Sequence, residues 1–323
     1  MNEQTHSLKK RLLKKLDVQK IVVIGLIVVI FLFMSSSYDG FASWYNIKTM
    51  LMNYVPEGIV ALGLTLVIIS GGIDLSVAGI MPFTAIIFCL LMRAGVHFVL
   101  AMIIVLLAAL AIGAFNNFLR QLLDVHPFIV TMATSLTLKG FNLVITGSGS
   151  ISDLPENFLE FAKFRLWDIK LPLVVFLVLA ILWMVLLSKN RFFRQVYFVG
   201  GNPKAADLCG IDCKKTLYFV YMQSAMMAAI AGIMAVVTYQ AANYSYGTNL
   251  DTRAITAVVV GGTSMTRGGI GNIGGTIIGL IFIALVFNAF LLSGINTYYQ
   301  DVITGIFLVV AVLFGERIKG RTV

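Results

Sequence analysis

Ten apolar runs follow one another along this chain, most of them close to the length that crosses a bilayer. An α-helix rises 1.5 Å per residue, so an apolar layer ~30 Å thick takes ~20 residues to span. The runs lie at about 20–36, 50–70, 73–93, 97–119, 127–146, 171–188, 216–240, 253–264, 270–292 and 297–315. Hydrophobic residues make up 59% of the chain and charged residues 12%, against about 45–50% and about 25% in soluble domains. The excess is spread over the whole length. The predicted fold is therefore an all-α integral membrane protein of about ten transmembrane helices, some broken or re-entrant. The run at 253–264 is too short to span unaided and ends in Gly261-Gly262 and a polar stretch, which reads as a broken helix.

Basic residues set the expected topology. Positions 1–19 form a basic tail in which Leu8, Leu12 and Leu16 recur every four residues among lysines, as in a helix lying on an anionic leaflet. The first run resembles a signal-peptide core, but no small-residue cleavage site follows it, so it reads as an uncleaved anchor. Lysine and arginine collect on the cytoplasmic side. Six runs after the tail comes the loop 189–215, with Lys189, Arg191, Arg194, Lys204, Lys214 and Lys215, and four further runs lead to the basic tail 317–323. Even counts return the chain to the same side each time, so both termini are predicted cytoplasmic. The polytopic domain is 20–316, and its segment 147–170 falls outside with mixed charge. The net charge of +9 sits in these loops and is not a nucleic-acid footprint.

Between the second and third runs stands I-I-S-G-G-I-D-L-S-V-A-G at 68–79. A charge at bilayer depth costs roughly 2.5–3.5 kcal/mol on insertion scales, so it faces a cavity or a partner. Gly71 and Gly72 predict a helix break whose backbone lines something other than lipid. Asp74 either caps a helix starting at Leu75, helped by Ser76, or touches a ligand, and the two roles are compatible. A faint echo occurs at 257–263, A-V-V-V-G-G-T, again an apolar run ending in paired glycines. Glycine-interrupted segments in the two halves of a transporter point to its transport site. Ser70, Gly71, Gly72, Asp74, Ser76, Gly261, Gly262, Thr263 and Ser264 are accordingly pathway or hinge candidates. So are Asn116, Asn117, Thr134, Lys139, Asn142 and Asn288, polar residues within predicted spans. Most such Ser and Thr side chains bond their own backbone or a neighbouring helix. Lys139 lies two-thirds along its span, where it snorkels, pairs with an acid or faces a water-filled path.

In the basic loop, G-G-N-P-K-A-A-D-L-C-G at 200–210 carries helix punctuation. Asn202 suits the N-cap, Pro203 the first turn and Gly210 the position past the end, which brackets a helix over 203–209. Isolated helices under ~12 residues are marginal in water. This one is held either by docking onto a partner or by resting on its own protein.

The chain has no G-x-x-x-x-G-K-[ST] phosphate loop. Gly268–Gly275 lacks the lysine and reads as close helix packing. Three scattered histidines and three cysteines make neither a metal site nor a disulfide framework. No Ser, His and acid constellation is visible, so the chain reads as no enzyme, with no cofactor and no metal.

Three motifs carry a resemblance: I-I-S-G-G-I-D-L-S-V at 68–77, V-G-G-N-P-K-A-A-D-L-C-G-I at 199–211 and A-V-V-V-G-G-T-S at 257–264. Together and in this order they resemble the permease subunits of bacterial ABC importers for ribose, related sugars and autoinducer-2. The similarity runs from about Gly40 to the C-terminus. It implies a multi-pass protein of the bacterial inner membrane that pairs as a homo- or heterodimer. Two cytoplasmic ATPase subunits would drive it, and an extracytoplasmic binding protein would deliver a neutral, sugar-like solute, most simply a ribose-type monosaccharide. The resemblance also implies that the short helix, Asn202, Pro203, Lys204, Ala205, Ala206, Asp207, Leu208 and Gly210, docks in an ATPase groove. Lys204 stands where an acid is frequent in the wider pattern. Lys139-Gly140 resembles a basic-Gly pair of the family. Two rivals are a self-contained ion-coupled secondary transporter using Asp74, Lys139 or Glu57, and a membrane enzyme acting on lipid-linked substrates. In the outer segment, Asp153 with Glu156 resembles a capping box, followed by Leu154, Phe158, Phe161 and Phe164 at roughly helical spacing. That segment either touches the binding protein or lies on the membrane surface.

Overall fold

The computed structural model describes residues 18–296 and 298–319, with side chains up to residue 313. Most of the basic N-terminal tail and the end of the C-terminal one lie outside the described residues. The chain forms fourteen α-helices among the described residues, α1 (Val18–Ser37), α2 (Trp44–Asn53), α3 (Val55–Ile69), α4 (Val77–Arg93), α5 (Phe98–Leu123), α6 (Pro127–Thr146), α7 (Glu156–Ala162), α8 (Leu171–Lys189), α9 (Arg191–Gly201), α10 (Pro203–Leu208), α11 (Cys213–Tyr239), α12 (Leu250–Val260), α13 (Ile273–Leu292) and α14 (Tyr299–Lys319). Six of them (α1, α5, α6, α8, α11, α13) are long and apolar enough to cross a membrane, and a seventh span results if α2 and α3, bent by 51°, count as one. The bend falls at Tyr54, ahead of Pro56, which has no N–H to continue the preceding helix.

The helices sort by what surrounds them. Every residue of α3 is buried, and α11 is buried along most of its length against α3, α4 and α5. Small residues let these backbones meet. A Cβ on Gly113 would stand 2.5 Å from the Tyr221 carbonyl oxygen, and one on Gly232 would stand 2.4 Å from that of Met81. By contrast α1, α5, α6 and α8 expose Leu, Ile, Val and Phe broadly. Apolar outside and small or polar inside is the arrangement of a bundle solvated by lipid.

Two elements explain the short helices. The 3₁₀ turn Tyr244–Gly247 folds back into the bundle beside α4, where a Cβ on Gly247 would lie 1.9 Å from the Ala78 carbonyl oxygen. Consequently α12 begins inside the bundle, with Leu250 buried, and eleven residues carry it to the face on which α3 also ends. The other element is the break between α3 and α4. On that same face Gln19, at the start of α1, donates to the Val259 carbonyl at 2.9 Å. Gln19 also shares a groove with Val310 and Ala311 of α14. The first and last described helices thus approach the face that carries α10.

At the opposite end, β1 (Ser150–Ile151) pairs antiparallel with β4 (Ala242–Asn243), and β2 (Arg165–Leu166) with β3 (Ile169–Lys170). The capping box expected at Asp153 is absent. Pro155 occupies the N-cap of α7 without a side-chain bond, and Asp153 takes a left-handed φ of 61°. Phe158 and Phe161 pack instead on Phe88 and Phe98, so α7 rests on the ends of α4 and α5, while Phe164 is exposed.

Candidate functional site

Both predicted breaks close their helices in the same way. At the end of α3, Gly71 adopts φ +80° and Gly72 N–H bonds back to Val67 O at 2.9 Å. At the end of α12, Gly262 adopts φ +97° and Thr263 N–H bonds back to Val258 O at 3.2 Å. A six-to-one bond around a left-handed residue is the Schellman motif, and glycine takes that conformation without a Cβ penalty. The structural match pairs Gly71 with Gly262, one step from the alignment of the two glycine pairs by sequence.

The breaks meet at one point beneath α9. This helix is capped by Asn190, whose side chain accepts from Phe192 N. It is anchored by ring contacts of Phe193 with Trp183 of α8 and Phe219 of α11. Its end, Gly200, has no room for a side chain: a Cβ would lie 1.8 Å from Ile69 O and 2.7 Å from Gly269 N. Gly269 N–H itself donates to Ile69 O at 2.7 Å. A Cβ on Gly268 would lie 2.3 Å from Gly200 O, and Tyr197 donates to Gly271 O at 3.1 Å. The glycine run 268–275 therefore divides. Gly275 packs helix to helix on Gly261 as expected, whereas Gly268, Gly269 and Gly271 form a loop seated on α9.

Three residues beyond Gly200, α10 begins. Asn202 Oδ1 accepts from Ala205 N at 3.0 Å, Pro203 opens the helix, and Gly210 follows its end with φ +78°. The helix stops at Leu208, with Cys209 as its cap. Ala206 is buried against the chain, while Lys204, Ala205, Asp207 and Leu208 face outward, Leu208 with 90% of its surface exposed.

Above the first break lies a buried polar network. The helix after it starts at Val77 with Ser76 as N-cap, two residues later than the start at Leu75 that the sequence suggested. Asp74 Oδ1 accepts from both the backbone N–H and the hydroxyl of Ser76. Asp74 Oδ2 accepts from Ser224 of α11 at 2.8 Å. Asn116 of α5 donates to Ser76 Oγ at 2.9 Å and accepts from Thr134 of α6 at 2.6 Å. Asp74 thus ties the break to α5, α6 and α11, and its described donors are all neutral. Asn142 donates to Gly79 O at 3.3 Å. Ser70 bonds back to Val67 O, and Asn117 accepts from Arg120 at 3.4 Å. Thr263 is buried with an unpartnered hydroxyl, and Ser264 Oγ accepts from Arg267 N.

Two candidates stand apart. Asn288 exchanges hydrogen bonds with Asn46, at 3.0 and 3.1 Å, joining α13 to α2. Lys139 is half-buried on α6 beside exposed Gly140 and has no acidic partner among the described residues. Sequence reasoning missed Gly200, Ser224 as the second anchor of Asp74, Thr65 bonded to Thr276 at 2.7 Å, and the ion pair of Glu57 with Arg253. Of these, only Glu57 is singled out by the sequence, as an acid at a span end.

Residues 46–312 match the family described as branched-chain amino acid transport system / permease component. The chain belongs to this permease family. It is 32% identical to the ribose import permease protein of Bacillus subtilis (strain 168), over 91% of each chain. The ribose import permease protein of Escherichia coli (strain K12) is 31% identical over 98% of this chain and 99% of its own. The D-allose transport system permease protein of the same organism is 32% identical over 91% and 90%. No solved structure matches. As a permease component the chain acts by conducting a solute through a membrane, not by covalent catalysis.

Proposed function

We propose that this chain is the membrane-spanning subunit of an ATP-driven bacterial importer for a ribose-type monosaccharide. It crosses the inner membrane ten times with both termini in the cytoplasm. Three of the passes are the short helices α3, α4 and α12, which begin or end inside the bundle. Two such subunits, identical or not, enclose the passage. Two ATPase subunits bind from the cytoplasm, and an extracytoplasmic binding protein delivers the solute. The full-length likeness to ribose and D-allose permeases supports a sugar. So does the scarcity of charge in the bundle, because a neutral polyol is held by hydrogen bonds and aromatic faces.

The observation that carries the reading is the junction at Gly200. An exposed short helix, α10, hangs three residues from a point where backbone touches backbone at the end of α3 and at the loop that follows α12. Main-chain contacts do not yield as side chains do, so a displacement of α10 reaches the end of α3 and the loop after α12 together. In this mechanism ATPase closure moves α10, the two Schellman turns act as hinges, and the Asp74 network holds α5, α6 and α11 in register around the first. Asp74 accepts three hydrogen bonds, which suits a fastening and leaves little capacity for a transported ion.

The test is uptake of D-ribose by liposomes holding the complex purified from its native membrane, with binding protein inside the assay. Uptake that needs ATP and survives collapse of ion gradients is expected. Uptake by the purified chain alone, driven by an ion gradient, would overturn the reading in favour of a secondary transporter.

A further inference from the structure

The ends of α3 and α12 remote from α10 hold a charged pair. Glu57 stands in the first turn of α3 and Arg253 in that of α12, with Arg253 Nε 2.8 Å from Glu57 Oε1. Glu57 is 8% exposed. Burying charges is costly, and a buried pair stabilises only when its remaining lone pairs and protons are also bonded. The arginine fork can meet both oxygens of a carboxylate at once. This pair does not. Glu57 Oε2 has no hydrogen-bond partner, and Arg253 Nε, although close to Oε1, is not aimed for a hydrogen bond. Another guanidinium nitrogen turns away to Thr248 O at 3.2 Å. A free acceptor and a free donor are left side by side.

Their surroundings are polar and aromatic. Tyr239, the last residue of α11, is half exposed and lies 5.4 Å from the ring of Tyr246. Tyr54 and Tyr239 both stand within electrostatic reach of Glu57. Thr248, Asn249 and Thr252 are exposed nearby, and Asn249 donates to Asp301 of α14 at 2.8 Å. So many polar groups would not be left facing lipid.

We infer that Glu57, Arg253 and Tyr239 form a hydroxyl-recognition site for a neutral polyol at the outer mouth of the passage. Glu57 Oε2 accepts one solute hydroxyl, the unused N–H of Arg253 donates to another, and Tyr239 offers its ring to the C–H face of the sugar. The pair has no net charge, so a neutral solute can arrive and leave without stranding an ion. This site rests on the sugar-import reading.

The experiment compares D-ribose with its monodeoxy analogues in liposomes holding the full importer. It uses the unaltered complex, Glu57→Gln, and the double variant Glu57→Leu with Arg253→Met. Leucine and methionine keep much of the volume, and apolar replacement of a buried pair is often neutral for folding. Each variant is also checked by thermal unfolding and by retention of the ATPase. The binding protein's own preference cancels when each variant's ribose-to-deoxyribose uptake ratio is divided by that of the unaltered complex. For the analogue lacking the recognised hydroxyl, loss of a hydrogen bond to a charged group is expected to lower the ratio about tenfold in the double variant, and less in Glu57→Gln. A folded, assembled double variant that slows every sugar by one common factor, or slows none, would overturn the site, because a mere clasp between helices cannot read hydroxyls. No uptake of any monosaccharide by the unaltered complex would overturn the import reading and this site with it.

Discussion

Replacing Gly200 by alanine tests the junction with a single methyl group. That methyl would lie 1.8 Å from Ile69 O, 2.7 Å from Gly269 N and 2.9 Å from the Ile69 carbonyl carbon, where ordinary contact starts at 3.4 Å. The groups must part by roughly 1.6 Å, and all three are backbone, so no side chain can swing aside. Parting them also breaks the 2.7 Å bond from Gly269 N–H to Ile69 O. Overpacking of this kind costs about 1–3 kcal/mol and the lost bond about 1 kcal/mol, for a total of about 2–4 kcal/mol. Gly201→Ala is the matched control, since its Cβ would meet nothing within 4 Å. Both variants would be reconstituted with the ATPase, and solute uptake per ATP hydrolysed measured beside thermal unfolding in detergent. Gly200→Ala is expected to lower the unfolding temperature and the uptake per ATP, while Gly201→Ala matches the unaltered protein. Equal coupling and stability in the two variants would refute the argument that this contact transmits motion.

Asp74→Ala strands the Ser76 N–H and the Ser224 hydroxyl in a fully buried site, at about 1–3 kcal/mol for each donor. A clear drop in unfolding temperature is expected, with a smaller one for Asp74→Asn, which keeps an acceptor. On α6, side chains tilt toward the helix N-terminus, so Lys139 points back along its span rather than toward the nearer end. Lys139→Cys, with Cys209 and Cys213 changed to serine, is expected to react with a membrane-impermeant maleimide. Reaction with lipid-soluble reagents alone would place it against lipid. At the β2–β3 hairpin, the Lys48 ammonium bonded to Asp168 holds that carboxyl below its usual range. A folded-state pKa lowered in this way adds stability above the unfolded value, near 3.9, and loses it as pH falls through the folded value. Fluorescence of Trp44, next to Asp168, is therefore expected to stay constant from neutral pH down through pH 4 and to change only in stronger acid. The Lys48→Met variant should change at higher pH.

What could be read in the sequence was mostly local. Apolar length located the six helices long enough to cross a membrane, the glycine pairs located both breaks, and Asn202, Pro203 and Gly210 bracketed α10 to within one residue, because caps act over four or five neighbours. Reasoning from neighbours failed where a third residue intervened. Pro155 took the cap expected of Asp153 on α7, and α4 starts at Val77, two residues past Leu75, although Asp74 still accepts the Ser76 N–H. The echo was placed one residue off, since the left-handed position falls on the first glycine of one pair and the second of the other. Contacts between distant parts left no trace. Gly200 read only as the approach to a capped helix, although its purpose is the fit against Ile69 and Gly269. Ser224 looked like any serine that bonds its own helix, and the partner of Glu57 stands on a helix far along the chain.

The central claim is that α10 couples this permease to a separate ATPase, and co-purification tests it most directly. Tagged protein would be drawn in mild detergent from its native membrane and the accompanying ATP hydrolysis measured. Leu208→Arg and Ala205→Arg change outward-facing positions of α10 and leave the buried Ala206 in place. The account predicts an ATPase subunit that accompanies the unaltered protein and is lost from both variants while their unfolding temperatures hold. Co-purification unchanged by either substitution, or no ATPase at all, would contradict it.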